Sequence, residues 1–394
     1  MKDTIMTHEN LDIAKTHLGR LIGFDTTSAL PNRAIIDHMA DYFAGLGAHI
    51  TILPDETGDK ANLIARFGPE GKPGLVLSGH TDVVPAGGAN WTTPPFEMDE
   101  RDGRLYGRGS CDMKGFAACV MAAAPGFSSA TLERPLYLCF SYDEEVGCLG
   151  APAIARHLAA LDVPPMLAII GEPSEMKLIT GQKGKIAMRA HVRGTAGHSS
   201  FAPSHVNALE YAARIIAMIQ DRGRTYVEHG PFDPDFTVPH ATMLATTIEG
   251  GIATNVTPDR CSFTFELRSI DESRARPDLD TLLSEVEAQF LPEMRAISDE
   301  AGIEWEEVFA YPAMGDATRT PGFEALRHIL PEWGGKVSFG SEGGVFEVIG
   351  GVPSVIIGPG SIKQAHKADE FIEISQLDAC LYFLDQVTEF AINR

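Results

Sequence analysis

The sequence predicts an α/β protein: a layer built on a mixed sheet, interrupted by an inserted ferredoxin-like βαββαβ unit. Three observations carry this. Short apolar runs at Leu75–Ser78, Leu136–Ser141, Leu167–Ile170 and Ser354–Ile357 read as strands buried on both faces, with helical stretches such as Lys114–Ala124 and Leu149–Leu161 between them. In the middle of the chain the period drops to two. Cys261, Phe263, Phe265 and Leu267 alternate with Ser262, Thr264, Glu266 and Arg268, which marks a sheet with one packed and one wet face. Helical patterns at Ala208–Ile219 and Leu279–Met294 fall between such strands, giving the order strand, helix, strand, strand, helix, strand.

The elements follow in order. Leu11, Ile13, Ala14, Leu18, Leu21 and Ile22 recur at helical spacing, as do Ile35, Ile36, Met39, Ala40, Phe43 and Leu46; Gly45 and Gly47 close the second helix. The α/β pattern then runs to about residue 181. Ile186, Met188, Ala190 and Val192 open the inserted unit, which ends near Trp305–Ala310. The expected division is 1–181 and 312–394 for the catalytic domain and 182–311 for the insertion. A chain of 394 residues is long for one core, which agrees with two domains. The last helix, carrying Leu377, Leu381, Leu384, Val387 and Phe390, is expected to pack back on the first domain.

Composition excludes some functions. With 54 acidic against 32 basic residues the net charge is -22, which repels phosphate backbones and anionic lipid, so no nucleic-acid or membrane partner is expected. Even the apolar run Phe116–Ala124 is far too short to span a bilayer. Met1 to Asn10 shows no apolar secretory core. The six scattered cysteines, Cys111, Cys119, Cys139, Cys148, Cys261 and Cys380, read as buried thiols, and the expected address is cytoplasmic.

Five segments hold residues fit for chemistry. In Ser78–Asp82, His80 ends a buried strand two residues before Asp82, the arrangement of a metal-binding imidazole oriented by a carboxylate; alone it is also a turn. Asp112 stands among glycines before the Lys114 helix, where on its own it reads first as a helix cap. Glu144 and Glu145 follow the strand Leu136–Phe140; near a cation one can ligate while the other moves protons, and without one they are a solvated acidic turn. Glu172 follows Leu167–Ile170, and His366 lies in a glycine-rich loop before Asp369 and Glu370; each alone also reads as an exposed turn residue. Together, two histidines and three carboxylates beside strand ends or a helix start suit two zinc ions sharing a bridging carboxylate.

With these motifs in this order, SGHTDVVP, GRGSCDMKG, YDEEVG, GEPS and AHKADE, plus GTAGHSS and the NVTP region, the chain resembles the zinc aminoacylase/carboxypeptidase family over nearly its whole length. Within that family it resembles most the acetylornithine deacetylases, through GRGSCDMKGF, GEPS, FTVPHATM and GPGSIKQAHKADEF. The resemblance implies a mixed-sheet zinc-hydrolase domain with an inserted dimerisation, or lid, domain. It implies two divalent ions per subunit, zinc with cobalt as the alternative. His80 and Glu172 hold one ion, Glu145 and His366 the other, and Asp112 bridges them. Asp82 orients His80, and Glu144 is the general base. His198 is implied as an oxyanion-stabilising group in the partner subunit's site of a homodimer, where sequence alone reads a turn histidine. Asn255 and Arg268 are implied to bind the substrate's carboxylate; Arg268 alone reads as a solvated arginine. The implied reaction is deacylation of a small N-acyl amino acid, N2-acetyl-L-ornithine first, in arginine biosynthesis. Other N-acyl amino acids, succinyl-diaminopimelate and dipeptides are the alternatives within the family, and a silent binding protein of this fold is the alternative outside it.

One segment departs from the family. Many relatives carry a small-residue turn ending in Asp ahead of the last metal histidine, where this chain has Phe339–Gly344 with Glu342. Glu342 is read as the acceptor for the substrate's distal ammonium, or else as a support for the fold.

Overall fold

The computed structural model describes residues 8–87 and 90–393, so most of the segment read for a secretory core, residues 1–7, lies outside the described residues. The chain divides into two compact units, residues 1–181, 314–335 and 341–394 in one and residues 182–313 with 336–340 in the other.

The first unit is built on an eight-stranded sheet in the order His49–Pro54, Ala61–Phe67, Leu136–Ser141, Leu75–His80, Leu167–Ile170, Ser354–Ile356, Leu178–Gln182 and Trp333–Val337. The four central strands run parallel, and each is fully buried, which is why each reads as a continuous apolar run. Ala61–Phe67 joins them antiparallel, as does Leu178–Gln182 on the other side. Helices Leu11–Ile22, Lys114–Ser129 and Ile374–Ile392 pack on one another, so the terminal helix does return to the first domain. The middle helix is rich in small residues and buried over most of its length, with Ala117, Ala118, Ala122 and Ala124 letting its neighbours approach.

A second, three-stranded sheet was not anticipated: Phe371–Glu373, Arg104–Tyr106 and Asp99–Arg101. Its strands are only three residues long, too short to show a period. It fastens the chain just after His366 to the chain just before Asp112.

The second unit has the expected strand–helix order. Gly184–Arg193, Thr242–Gly250, Arg260–Ser269 and Gly302–Tyr311 form an antiparallel sheet with helices Ala208–His229 and Glu272–Arg295. Numbered along the unit the sheet order is 4-1-3-2, that of a ferredoxin-like fold. Its core joins Met188, Val192, Phe263 and Phe265 from the sheet to Ile215, Leu282, Val286 and Phe290 from the helices. All six cysteines are buried thiols. No helix among the described residues is long and apolar enough to cross a membrane.

Candidate metal centre

Parallel strands bring their carboxyl ends to one edge. Leu75–His80 lies between Leu136–Ser141 and Leu167–Ile170, with His80 opposite Ser141 and Ser78 opposite Ile170. His80, the Glu144–Glu145 turn and Glu172 therefore leave the sheet side by side. Close packing makes this possible: a Cβ on Gly171 would stand 2.1 Å from the Phe116 ring, so only glycine lets the strand before Glu172 lie against the helix. Asp112 does not cap that helix, whose cap position is Met113 without a side-chain hydrogen bond.

Asp112 sits between the two imidazoles. His80 Nε2 lies 3.1 Å from its Oδ1, and His366 Nε2 lies 3.3 Å from its Oδ2. Glu172 Oε1 is 3.8 Å from His80 Nε2, and Glu145 Oε2 is 3.0 Å from His366 Nε2. Two groups result, His80, Asp112 and Glu172, and Asp112, Glu145 and His366, each with its ligand atoms within 4.8 Å of one another. His80, Asp112 and Glu172 are buried, while His366 opens to solvent. His366 holds φ at +61°, as Asp143 and Asp369 hold +55° and +52°, so the site's loops are locally strained in the left-handed region.

The donor set fits divalent cations. Burial, together with neighbouring Asp112, pushes the Glu172 and Glu145 carboxyls above the usual range, and Glu144 rises for burial and for its neighbour Glu145. Hydrogen bonds to Asp112 and Glu145 raise His366 to about 10. Burial works against charge on His80, but Asp112 and Asp82 outweigh it and its pKa rises. Carboxylates this close together favour positive charge between them, and oxygen with imidazole nitrogen is a donor set suited to a divalent metal ion.

Asp82 contacts more than His80. The His80 Nδ1 hydrogen bond runs to the Asp82 main-chain carbonyl at 2.9 Å, with the carboxylate farther off at 3.5 Å. The carboxylate accepts from the backbone N–H groups of Glu144 and Glu145, at 3.0 and 3.3 Å, and from Ser28 Oγ at 2.7 Å. One residue thus meets the His80 imidazole through its main chain and the Glu144–Glu145 turn through its carboxylate.

Of the two readings of Glu342, its surroundings favour a support for the fold. Glu342 is 1% exposed, and its carboxylate accepts from Ser78 Oγ at 2.5 Å and Ser141 Oγ at 2.7 Å. It lies beneath the strand ends, where it braces Ser78 and Ser141. Of the expected substrate and oxyanion residues, the second unit brings His198 and Asn255 together: Gly197–His198 pairs with Val256–Thr257, and Ser199 N donates to the Asn255 carbonyl. Arg268 is partly exposed and donates to Glu266 Oε1 and the Ser338 carbonyl. Sequence reasoning missed Ser28, Ser78 and Ser141, and read Glu370 only as an acid after His366. Serines before a metal motif carry no signal by themselves.

A parallel sheet gathering imidazoles and carboxylates at its carboxyl edge, with an inserted ferredoxin-like unit, defines a metal-dependent hydrolase. The chain belongs to peptidase family M20/M25/M40, whose profile matches residues 76–389. It is 32% identical over 378 residues to the acetylornithine deacetylase of Proteus mirabilis, covering 93% of this chain and 92% of that one. It is equally 32% identical to the acetylornithine deacetylase of Pasteurella multocida, over 88% of each. Among solved structures, the M20 metallo-carboxypeptidase Sso-CP2 from Sulfolobus solfataricus matches with a TM-score of 0.77 at 15% identity, over 96% of this chain and 99% of that one. Aminopeptidase PepT from Bacillus cereus matches with a TM-score of 0.73 at 18% identity, over 97% and 99%. At such identities these two speak for the fold alone.

Proposed function

We propose that this chain removes the acetyl group from N2-acetyl-L-ornithine, giving ornithine and acetate, with two zinc ions per subunit. The observation that carries the two-ion reading is Asp112, whose two oxygens face two different imidazoles. His80, Glu172 and Asp112 would hold one ion, and Glu145, His366 and Asp112 the other. When bound, such ions supply Lewis acidity, polarising a carbonyl and making water a better acid. The chain's own residues do the rest. Glu144 takes a proton from the water that attacks the acyl carbonyl and gives it to the amide nitrogen as the C–N bond breaks. His198 donates a hydrogen bond to the carbonyl oxygen as it becomes negative. Asn255 and Arg268 take the α-carboxylate, for which a guanidinium is geometrically suited.

The substrate rests on likeness to acetylornithine deacetylases over about nine-tenths of both chains. We carry over with it a cytoplasmic homodimer acting in arginine biosynthesis. A panel tests the assignment: N2-acetylornithine, N-acetylmethionine, succinyl-diaminopimelate and a dipeptide, each with zinc and with cobalt. The highest kcat/KM is expected for N2-acetylornithine. A preference for the dipeptide or the succinylated substrate would reassign the reaction within the family.

A further inference from the structure

Beneath the Asp112 loop lies a carboxylate that the reaction scheme does not use. Glu370 is 1% exposed, and its two oxygens accept four hydrogen bonds. Oε1 takes the backbone N–H groups of Cys111 at 2.9 Å and Asp112 at 3.0 Å. Oε2 takes the backbone N–H of Gly109 at 3.0 Å and the Arg108 guanidinium at 2.8 Å. Successive N–H groups turned to one point form a nest for an anion, and here the chain supplies its own. Gly109, at φ +79°, helps turn them inward.

The grip is reciprocal. The Glu370 carbonyl accepts from Gly107 N at 2.9 Å, and the strand Phe371–Glu373 pairs with Arg104–Tyr106. The loop from 107 to 112 is therefore held along its length by the segment that begins four residues after His366. Asp112 offers its N–H to Glu370 and its carboxylate to both imidazoles.

We propose that Glu370 is a positioning residue: by clamping the Asp112 loop to the His366 loop it fixes the shared carboxylate and so sets the affinity for both ions. The proposal rests on the two-ion reading above. A carboxamide in place of the carboxylate would turn an N–H toward backbone N–H groups that can only donate, so Glu370→Gln is a sharp probe. Partners behind metal ligands typically change metal affinity by about 10- to 100-fold when altered.

The test strips metal from the full-length protein, Glu370→Gln and Glu370→Asp, then titrates each with Co2+ by calorimetry and visible absorption. Both Co2+ dissociation constants are expected to rise about tenfold or more in Glu370→Gln. The shape of the cobalt spectrum should change, and Glu370→Asp should recover part of both effects. A role in the fold alone would lower the melting temperature and leave cobalt binding by the folded protein unchanged; that outcome overturns the proposal. Arg108→Gln removes one of the four contacts and covers a Glu370→Gln chain that does not fold: a smaller loss of affinity supports the clamp, and unchanged binding overturns it. Parent protein that binds no Co2+ defeats the two-ion reading, whereas parent protein that binds two while Glu370→Gln matches it defeats the clamp alone.

Discussion

Glu144 and Glu145 are neighbours in the chain and face different partners. Glu145 points at His366, while the carboxylate of Glu144 accepts a hydrogen bond from the Cys148 thiol at 3.4 Å. Glu144→Gln is therefore expected to keep its metal and lose about 10²- to 10⁴-fold in kcat. Glu145→Gln should lose metal first, as elemental analysis of the two variants beside their kinetics would reveal. Near-normal turnover in Glu144→Gln would remove it as the base. Glu342 gives a different pattern. It braces Ser78 and Ser141, the residues just behind His80 and the Glu144 turn, so Glu342→Gln should lower kcat/KM alike for N2-acetylornithine and N-acetylmethionine. A loss confined to the substrate with an ammonium would restore a direct role. The candidate ligand types were legible because each stands in a short local motif. The bracing by Glu342 was not, because its partners lie 264 and 201 residues away in sequence. Asp82 was half legible: its place near His80 is local, while its hold on the Glu144–Glu145 turn is a long-range contact.

At the scale of elements, the four central strands were readable because burial on both faces demands unbroken apolar runs. The ferredoxin-like unit was readable because one wet face imposes alternation over ten residues at Gly184–Arg193 and Arg260–Ser269. His49–Pro54, half-buried, shows neither pattern strongly, and the three-residue strands of the small sheet show none. The junction of strand and helix at Gly171 offers a test of why this edge holds its ligands. Gly171→Ala forces a methyl group into the Phe116 ring, an overpacking cost of about 1–3 kcal/mol. The melting temperature should fall by several degrees, and the Glu172 ligand group should bind metal more weakly. An unchanged melt would mean that Phe116 moves aside at no cost.

At the scale of the molecule, two compact units share one chain, the second of them residues 182–313 with 336–340. The short return of 336–340 was invisible in the sequence, since five residues carry no pattern. If His198 acts in a partner subunit's site, mixing inactive Glu144→Gln with inactive His198→Ala chains should restore activity in the hybrid; none, with subunit exchange demonstrated, would argue against action across the interface. The central claim, that one carboxylate unites two ions, is tested most directly by counting metal. Elemental analysis of active protein and of Asp112→Ala should give two ions per chain in the first, and a loss from both groups with loss of turnover in the second. Fully active protein carrying no bound metal, or Asp112→Ala that keeps both ions, would contradict it.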